Sequence, residues 1–326
     1  MNRRERILGA LWGAAIGDAL GVPVEFKDRA TVQADPVKDF RGFGTHHQPP
    51  GTWSDDTSLT LCTVESLIER EFDLDDLGRR FASWIRDDHW TPHGDVFDAG
   101  VTTVDALRRI ERGTRAELAG GADEYSNGNG SLMRILPVAL RFADEAAPQL
   151  LERARRVSAI THAHARSQMC CGFYCLLVNG LLIGLPSTEA SSKALDLFRE
   201  HHDREPWNAQ FLNLRRLLDG SFLTRPESEI VSSGYVVHTL EAAAWCLHNT
   251  RSFEECVLKA VNLGGDSDTT GCVAGGLAGA RYGLNAIPKH WRDGLARRDD
   301  LARLFERFVG ICPATLTNSP TTDSQT

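Results

Sequence analysis

The sequence predicts an all-α protein built as one domain. No segment of the 326 residues shows a convincing alternation of apolar and polar residues, which is the pattern of a half-buried strand. Apolar residues instead recur at helical spacing in many segments, as in residues 51–69, where Leu59, Cys62 and Leu67 lie on one stripe. No repeat of fixed period is present, so a solenoid is excluded. We therefore expect one domain of twelve or more helices.

Composition narrows the class of protein. A hydrophobic content of 42%, with 25% charged residues, is typical of a globular protein with a sizeable core. The net charge of −8 and the lack of a basic block argue against a nucleic-acid partner. The eight cysteines include no CxxC pair, which favours a reduced, cytoplasmic protein over a disulfide scaffold.

The sequence also predicts whether the chain is exported or spans a membrane, and where the folded domain ends. Residues 1–21 begin basic and continue apolar like a signal peptide, but Asp18 interrupts the run and no clean A-x-A site follows, so we predict no export. The most apolar segment, 173–185, is too short to span a bilayer, which argues against a membrane protein. We expect the folded domain to cover residues 1–314 and the polar tail 315–326 to be disordered.

The first predicted helix covers residues 6–21. Glycine recurs in it at every fourth position, which places the glycines along one face and predicts close helix packing. Asp18 is an acid within this small and apolar helix. Glu25 follows Pro23 just past the helix end, where a loop could aim it into a cleft. Residues 28–52 then read as a long loop, in which His46 and His47 could be ligands, although a solvated pair is the simpler interpretation.

An acidic helix start follows at Ser54, Asp55 and Asp56. These residues precede the apolar stripe as N-cap residues do, and capping alone would account for one of them. The segment offers more side-chain oxygens than one cap needs, so metal or substrate binding stays open. Further helices are predicted over 74–86 and 98–112, with the connector between them near the surface.

Two later segments carry candidate ligand-binding residues. Residues 127–131 look like a loop that opens onto a helix, and their backbone N–H groups could cradle a phosphate, with a plain turn as the alternative. Two helices follow over 150–185. At their join, His162 and His164 have an i, i+2 spacing that separates them on a helix, so one histidine contacting a ligand is favoured over a two-histidine metal site.

The C-terminal third contains the second acidic helix start. Tyr235 opens a helix over 233–249 and either packs in the core or stacks on a base. After a helix over 253–262, Asp266 and Asp268 precede a glycine-rich helix that ends near residue 283. An EF-hand is excluded because its twelfth position, which needs a bidentate Glu, would be Leu277 in an apolar helix. Further helices are predicted after residue 290.

The two acidic helix starts together suggest a metal site. They supply four carboxylates with hydroxyl neighbours and no paired soft ligand, a set that favours Mg²⁺ or Mn²⁺ over zinc. Such a set could hold two metal ions that activate a water.

The segments that carry these groups resemble, in order, the motifs of the ADP-ribosylglycohydrolase family. They are GALWGAAIGDALGVPVE (9–25), GTWSDDTSLTL (51–61), NGNGSLMR (127–134), THAHARS (161–167) and GGDSDTTGCVAGGLAGA (264–280).

This resemblance covers nearly the whole chain and implies a fold and a site. The family fold is a single compact orthogonal helical bundle with a cleft that holds two Mg²⁺ or Mn²⁺ ions. The positions that match metal ligands of the family are Ser54, Asp55, Asp56, Asp266, Asp268 and Thr269. The positions that match its ADP-ribose contacts are Asn127, Gly128, Asn129, Gly130, Ser131 and His162, with Tyr235 as a further candidate from the sequence itself. Glu25 matches an acid that reaches the metal site in some relatives.

The resemblance also implies an activity, with alternatives. It implies a hydrolase that removes ADP-ribose from modified arginine, or from serine-linked or O-acetyl forms, with Asp268, Asp56 and Glu25 as catalytic groups. An immunity protein that blocks a cognate ADP-ribosyltransferase toxin is a second possibility. A binding protein without turnover, and a phosphohydrolase acting on the pyrophosphate, are further alternatives.

Overall fold

The computed structural model describes residues 1–202 and 207–313, and these ranges form fifteen α-helices without any strand. The all-α prediction is confirmed. The predicted tail, 315–326, lies outside the described residues, so the domain boundary at residue 314 stays a prediction. In chain order the helices are α1 Arg3–Gly21, α2 Arg29–Ala34, α3 Asp55–Arg70, α4 Leu74–Asp87, α5 Val101–Glu111, α6 Leu136–Arg141, α7 Ala147–Ala159, α8 Ala165–Leu182, α9 Ser187–His202, α10 Arg215–Asp219, α11 Val236–His248, α12 Phe253–Val261, α13 Ser267–Tyr282, α14 Lys289–Gly294 and α15 Arg298–Ile311.

Side-chain caps set many of the helix starts. Helix α1 begins with a capping box in which the Asn2 side chain accepts the Glu5 N–H and the Glu5 carboxylate accepts the Asn2 N–H. Asp73 caps α4 and Ser252 caps α12 by accepting an N–H of the first turn. Because these polar residues lie directly before apolar stripes, α4 and α12 begin at the predicted residues, whereas α3 begins at Asp55 and so takes in two of the three residues expected to precede it.

Helices α1 and α13 pack antiparallel along their glycine faces at the centre of the molecule. A Cβ atom placed on Gly17 would lie 2.0 Å from the carbonyl oxygen of Gly271, so only glycine lets the two backbones approach this closely. The pairs in contact are Gly9 with Gly279, Gly13 with Gly275, Gly17 with Gly271, and Gly21 with Asp268. The predicted close packing is confirmed. It brings the C-terminal end of α1 against the N-terminal end of α13, where the candidate site lies.

Gly17→Ala is expected to lower the free energy of unfolding by about 3 kcal/mol or more, because the new methyl would overlap rigid backbone rather than a movable side chain. Gly310→Ala is the matched control, since it lies in α15 and a Cβ there meets nothing within 4 Å. That change is expected to raise stability by up to about 1 kcal/mol. Chemical denaturation checks both, and equal effects at the two positions would contradict backbone-to-backbone packing of α1 and α13.

The apolar N-terminal helix belongs to the core. The segment Arg3–Val24 is long and apolar enough to cross a membrane by length and composition, and its most apolar window is entirely buried inside the protein. Core packing against α13 therefore accounts for its composition. All eight cysteines carry free thiols, and seven of them are buried, as expected for small apolar core residues. The cytoplasmic location itself stays a prediction.

Two local predictions were wrong. The loop expected over 28–52 contains α2, whose six residues bury only Val32 and so carry too little periodicity to be seen in the sequence. The helix predicted from residue 98 begins instead at Val101. Asp98 adopts a left-handed φ of 55°, which is incompatible with a right-handed helix at this position, so this acid stays in the connector before α5.

Candidate active site

Three chain segments bring acidic side chains together at one end of the α1–α13 pair. Glu25 follows the short turn after α1, Asp55 and Asp56 lie in the first turn of α3, and Asp266 and Asp268 start α13. Carboxylate oxygens of Glu25, Asp266 and Asp268 all lie within 4.8 Å of one another. Glu25 therefore lies beside the acidic start of α13.

Thr269 links the two acidic helix starts directly. Its hydroxyl donates to Asp56 Oδ1 at 3.3 Å, and its backbone N–H donates to Asp268 Oδ1 at 2.8 Å. Ser54 acts here as the N-cap of α3, since its hydroxyl accepts the Asp56 N–H at 3.3 Å. The capping interpretation is thus right for Ser54. The carboxylates of Asp55 and Asp56 are not needed as the N-cap and are available to bind a ligand.

Asp18 holds the start of α3 in place from within α1. Its carboxylate accepts the Ser54 N–H at 2.9 Å, the Thr57 N–H at 3.0 Å and the Thr57 hydroxyl at 2.6 Å. Burial raises the pKa of Asp18 to about 7, while the hydrogen bonds from Thr57 and Ser54 act in the opposite direction. The acid that looked out of place in the sequence is a cap supplied by another helix, and it orients the first turn of α3.

Asp18→Ala is expected to lower the free energy of unfolding by about 3–5 kcal/mol, because it leaves three buried donors of Ser54 and Thr57 without an acceptor. Asp105→Ala, which removes an exposed acid from α5, is the control and should change stability by less than about 0.5 kcal/mol. Urea denaturation of both variants measures this. A small effect of Asp18→Ala would show that α3 is held by its own caps instead.

Burial and mutual repulsion dominate the electrostatics of the cluster. Burial, followed by the neighbouring carboxylates, raises the pKa of Asp55, Asp56 and Asp268 well above the ordinary aspartate value. Burial raises the pKa of Glu25 to about 10, with Asp98 and Asp266 as the next causes. A group of carboxylates this close therefore needs either protons or cations to neutralise it.

The residues present fit a divalent cation. Asp56 Oδ2, Asp266 Oδ1 and Asp268 Oδ2 are buried and have no hydrogen-bond partner among the described residues. Buried polar atoms are normally satisfied, so three unpartnered carboxylate oxygens on the linked starts of α3 and α13 suit a positively charged ligand. Their hard oxygen chemistry, with the hydroxyl of Thr269 nearby, suits Mg²⁺ or Mn²⁺ rather than a thiophilic metal.

Two residues of the site were not assigned to it from the sequence. His46 Nε2 lies 2.5 Å from Glu25 Oε2, and the His46 ring contacts the rings of Phe26 and Phe97. The solvated-pair interpretation is therefore wrong for His46. Asp98 joins Glu25 and His46 in a second group whose ligand atoms lie within 4.8 Å. Burial, then Asp266, raises the pKa of Asp98 to about 6.

A cavity of about 260 Å³ opens over the carboxylates. Of the residues predicted to contact substrate, Gly128, Asn129, Gly130 and His162 line it. Asn129 also ties this wall to the acids, because its side-chain amide donates to Asp266 Oδ2 at 3.0 Å. The cavity therefore joins the acidic cluster to the glycine-rich loop, and exposed Phe26 and Val101 lie at its mouth.

The other predicted contacts lie behind or beside this wall. Ser131 is fully buried and its hydroxyl accepts from Ser158 at 2.9 Å. The Asn127 amide donates to the Glu124 carbonyl oxygen at 2.9 Å. The Tyr235 ring lies 5.6 Å from the Arg166 guanidinium rather than in the lining of the cavity.

The backbone of the glycine-rich loop is only partly available to a ligand. The Asn129 N–H donates to the Gly234 carbonyl oxygen at 3.0 Å, so this donor is already used. The N–H groups of Gly128, Gly130 and Ser131 have no acceptor within residues 1–202 and 207–313. A Cβ on Gly130 would lie 2.8 Å from His162 Cε1, so glycine there preserves the position of the imidazole.

An all-α domain that gathers buried carboxylates under a cleft has the architecture of a hydrolase with a site for a metal ion. The chain belongs to the ADP-ribosylglycohydrolase family, whose model matches residues 1–316. A solved structure described as an ADP-ribosylglycohydrolase-related protein complex is similar to it, with a TM-score of 0.80 and 36% identity, over 96% of this chain and 99% of that one. The predicted family and enzyme class, a glycohydrolase, are thus confirmed.

Curated relatives of three kinds are similar over most of their length. The ADP-ribosylarginine hydrolase Tri1 of Serratia proteamaculans is 32% identical, covering 95% of this chain and 80% of the relative. The ADP-ribosyl-[dinitrogen reductase] glycohydrolase of Rhodospirillum rubrum is 32% identical, covering 88% and 89%. The ADP-ribosylhydrolase ARH3 of Homo sapiens is 27% identical, covering 93% of each.

Proposed function

We propose that this enzyme removes ADP-ribose from modified arginine side chains of proteins, using two Mg²⁺ or Mn²⁺ ions held by the acidic cluster. The observation that carries the proposal is the meeting of Glu25, Asp56, Asp266 and Asp268 under one cavity, with three carboxylate oxygens unpartnered among the described residues. Two relatives named as ADP-ribosylarginine hydrolases support the arginine linkage.

The cations would be held by the residues that begin α3 and α13. These are Ser54, Asp55, Asp56, Asp266, Asp268 and Thr269. When bound, the ions would supply Lewis-acid chemistry that lowers the pKa of a water and fixes sugar hydroxyls. Gly128, Asn129, Gly130 and His162 line the adjoining wall and would bind the ADP portion, with Asn127, Ser131 and Tyr235 supporting it from behind or from the side.

The protein groups divide the proton transfers between them. The oxygen of a water forms a bond to the anomeric carbon while the bond from that carbon to the guanidine nitrogen breaks. Asp268 or Asp56, each with a free buried oxygen, accepts the proton of the water. Glu25, which lines the cavity and whose Oε2 lies 2.5 Å from His46 Nε2, is placed to give a proton to the departing nitrogen. The remaining carboxylates stabilise the positive charge that develops on the sugar ring.

The charge at the cavity mouth favours arginine over the other linkages. A guanidinium that carries ADP-ribose is still cationic, whereas serine and O-acetyl linkages are neutral. Asp98 is half-buried beside Glu25 in the cavity lining, and the exposed ring of Phe26 lies next to them. A carboxylate and an aromatic face are both attractive to a guanidinium, so this rim selects the cationic substrate.

A substrate panel tests the proposal. Peptides carrying arginine-linked or serine-linked ADP-ribose, and O-acetyl-ADP-ribose, are incubated with the enzyme and Mg²⁺ or Mn²⁺, and products are measured by mass spectrometry. The highest kcat/KM is expected for the arginine-linked peptide. A higher value for either neutral linkage would overturn the arginine assignment.

Binding to a cognate transferase stays a separate prediction, which co-purification of the Asp268→Asn protein with such a toxin would test.

A further inference from the structure

Arg134 is a fully buried cation without a carboxylate partner among the described residues. Its guanidinium lies over the Phe81 ring, 4.4 Å from the centroid. One of its nitrogens, Nη2, donates to Thr161 Oγ1 at 2.6 Å, and Nη1 donates to the Val157 carbonyl oxygen at 3.4 Å. Burying an unpaired charge lowers the stability of the fold, so a role in the function of the neighbouring cavity would account for Arg134 at this position.

The Thr161 hydroxyl connects this cation to the cavity wall. Thr161 is fully buried, and its Oγ1 lies 2.8 Å from His162 Nδ1. A guanidinium can only donate, so Thr161 Oγ1 accepts from Arg134 and keeps its own hydrogen for another acceptor. In the part of the chain that the structure describes, His162 Nδ1 is the acceptor within reach. If Nδ1 carried a proton, the hydroxyl hydrogen would be buried without a partner.

The proton of the neutral imidazole therefore lies on Nε2. Burial, followed by the charge of Arg134, lowers the pKa of His162 to about 3, which keeps the ring neutral at pH 7. His162 lines the cavity, and its Nε2 has no hydrogen-bond partner among the described residues. A Cβ on Gly128 would lie 3.3 Å from this nitrogen, so the missing side chain leaves it open to a ligand.

We propose that Arg134 and Thr161 are positioning residues that lock His162 in its Nε2–H form, so that His162 presents a hydrogen-bond donor, and not an acceptor, to a ligand in the cavity. Gly128 and Gly130 line the same cavity, and their N–H groups have no acceptor among the described residues, so together with Nε2–H they suit an anionic oxygen of a phosphate. A ligand atom that must donate a hydrogen bond is disfavoured at His162 Nε2. The assignment of the phosphate to ADP-ribose rests on the proposed function, whereas the tautomer does not.

Nuclear magnetic resonance of the full-length protein labelled with ¹⁵N-histidine tests the tautomer. Long-range ¹H–¹⁵N correlations distinguish a protonated from an unprotonated ring nitrogen, and the His162 signals are those lost in His162→Gln. A protonated Nε2 with an unprotonated Nδ1 is expected at pH 7. Thr161→Val should shift this pattern toward the other tautomer, and Thr161→Ser should restore it. A protonated Nδ1 in the wild type, or an unchanged pattern in Thr161→Val, would overturn the proposal.

Calorimetry with free ADP-ribose gives the second readout. Thr161→Val is expected to weaken binding at least about tenfold, because the donor toward a charged oxygen is no longer held in place. Thr161→Ser should bind nearly as the wild type does. Equal affinity of Thr161→Val and the wild type would refute the positioning role. Neither readout depends on turnover. If the enzyme does not hydrolyse arginine-linked substrate, the proposed function is refuted and the tautomer result still stands. If Thr161→Val does not fold, the wild-type spectrum alone shows which ring nitrogen of His162 is protonated.

Discussion

Asp268→Asn is expected to reduce the turnover of ADP-ribosylated arginine to below about one-thousandth of the wild-type rate while the protein stays folded. The change removes a negative charge from the cluster. It also replaces one of the two carboxylate oxygens, of which Oδ2 is unpartnered in the wild type, with an uncharged NH₂ group that cannot bind a cation. An amide oxygen can still accept the Thr269 N–H that Oδ1 accepts in the wild type at 2.8 Å. Because α13 is held to α1 by its glycine face, the loss of one carboxylate does not disturb the packing of the helix.

The measurement is kcat with saturating Mn²⁺, accompanied by far-ultraviolet circular dichroism to show that the fold is kept. Asp105→Asn is the matched control, since it makes the same chemical change at an exposed position of α5 and should leave kcat unchanged. Turnover by Asp268→Asn at a rate near that of the control would contradict the assignment of Asp268 to the metal and catalytic site.

Mg²⁺ or Mn²⁺ is expected to raise the midpoint of thermal unfolding of the wild type by about 5–10 °C at saturation. The physical reason is that buried carboxylates repel one another until a cation neutralises them. The same reasoning predicts that Asp268→Asn is more stable than the wild type when both are free of metal, because one repelling charge is gone. With cation added, the variant should gain less than the wild type.

Differential scanning fluorimetry in EDTA, Mg²⁺ or Mn²⁺ tests this, with NaCl at equal ionic strength to account for general screening. Two results would contradict the account. One is an equal cation response in the wild type and in Asp268→Asn, and the other is a metal-free variant less stable than the metal-free wild type. The first result would place cation binding away from the start of α13, and the second would show that repulsion at Asp268 does not destabilise the metal-free protein.

The acids that begin helices could be found in the sequence because their positions are local. Asp55, Asp56, Asp266 and Asp268 each lie just before or within the first turn of an apolar helix, and the excess of oxygens over what a cap needs is visible in the letters. The every-fourth glycine pattern of α1 likewise predicts a close helix contact. That these segments meet was inferred from the metal chemistry and the family resemblance, not from periodicity.

The residues missed by the sequence depend on tertiary contacts. Asp98 lies in a connector without periodicity, and nothing local indicates that this connector turns back toward Glu25. His46 lies in a long loop held by the Thr45 hydroxyl, which donates to the Glu25 carbonyl oxygen at 2.7 Å. Asp18 was recognised as unusual, but its partners are 36 or more residues away, so its capping role emerged only from the folded chain.

The central claim is that this cleft, loaded with a divalent cation, breaks the bond between ADP-ribose and arginine. Mass spectrometry of an arginine-linked ADP-ribosyl peptide, with and without Mn²⁺, tests it most directly. The account predicts that unmodified peptide and intact ADP-ribose form together, only with the cation and not with Asp268→Asn. Release of AMP from a peptide that keeps ribose phosphate, or a peptide left intact in the presence of the cation, would contradict it.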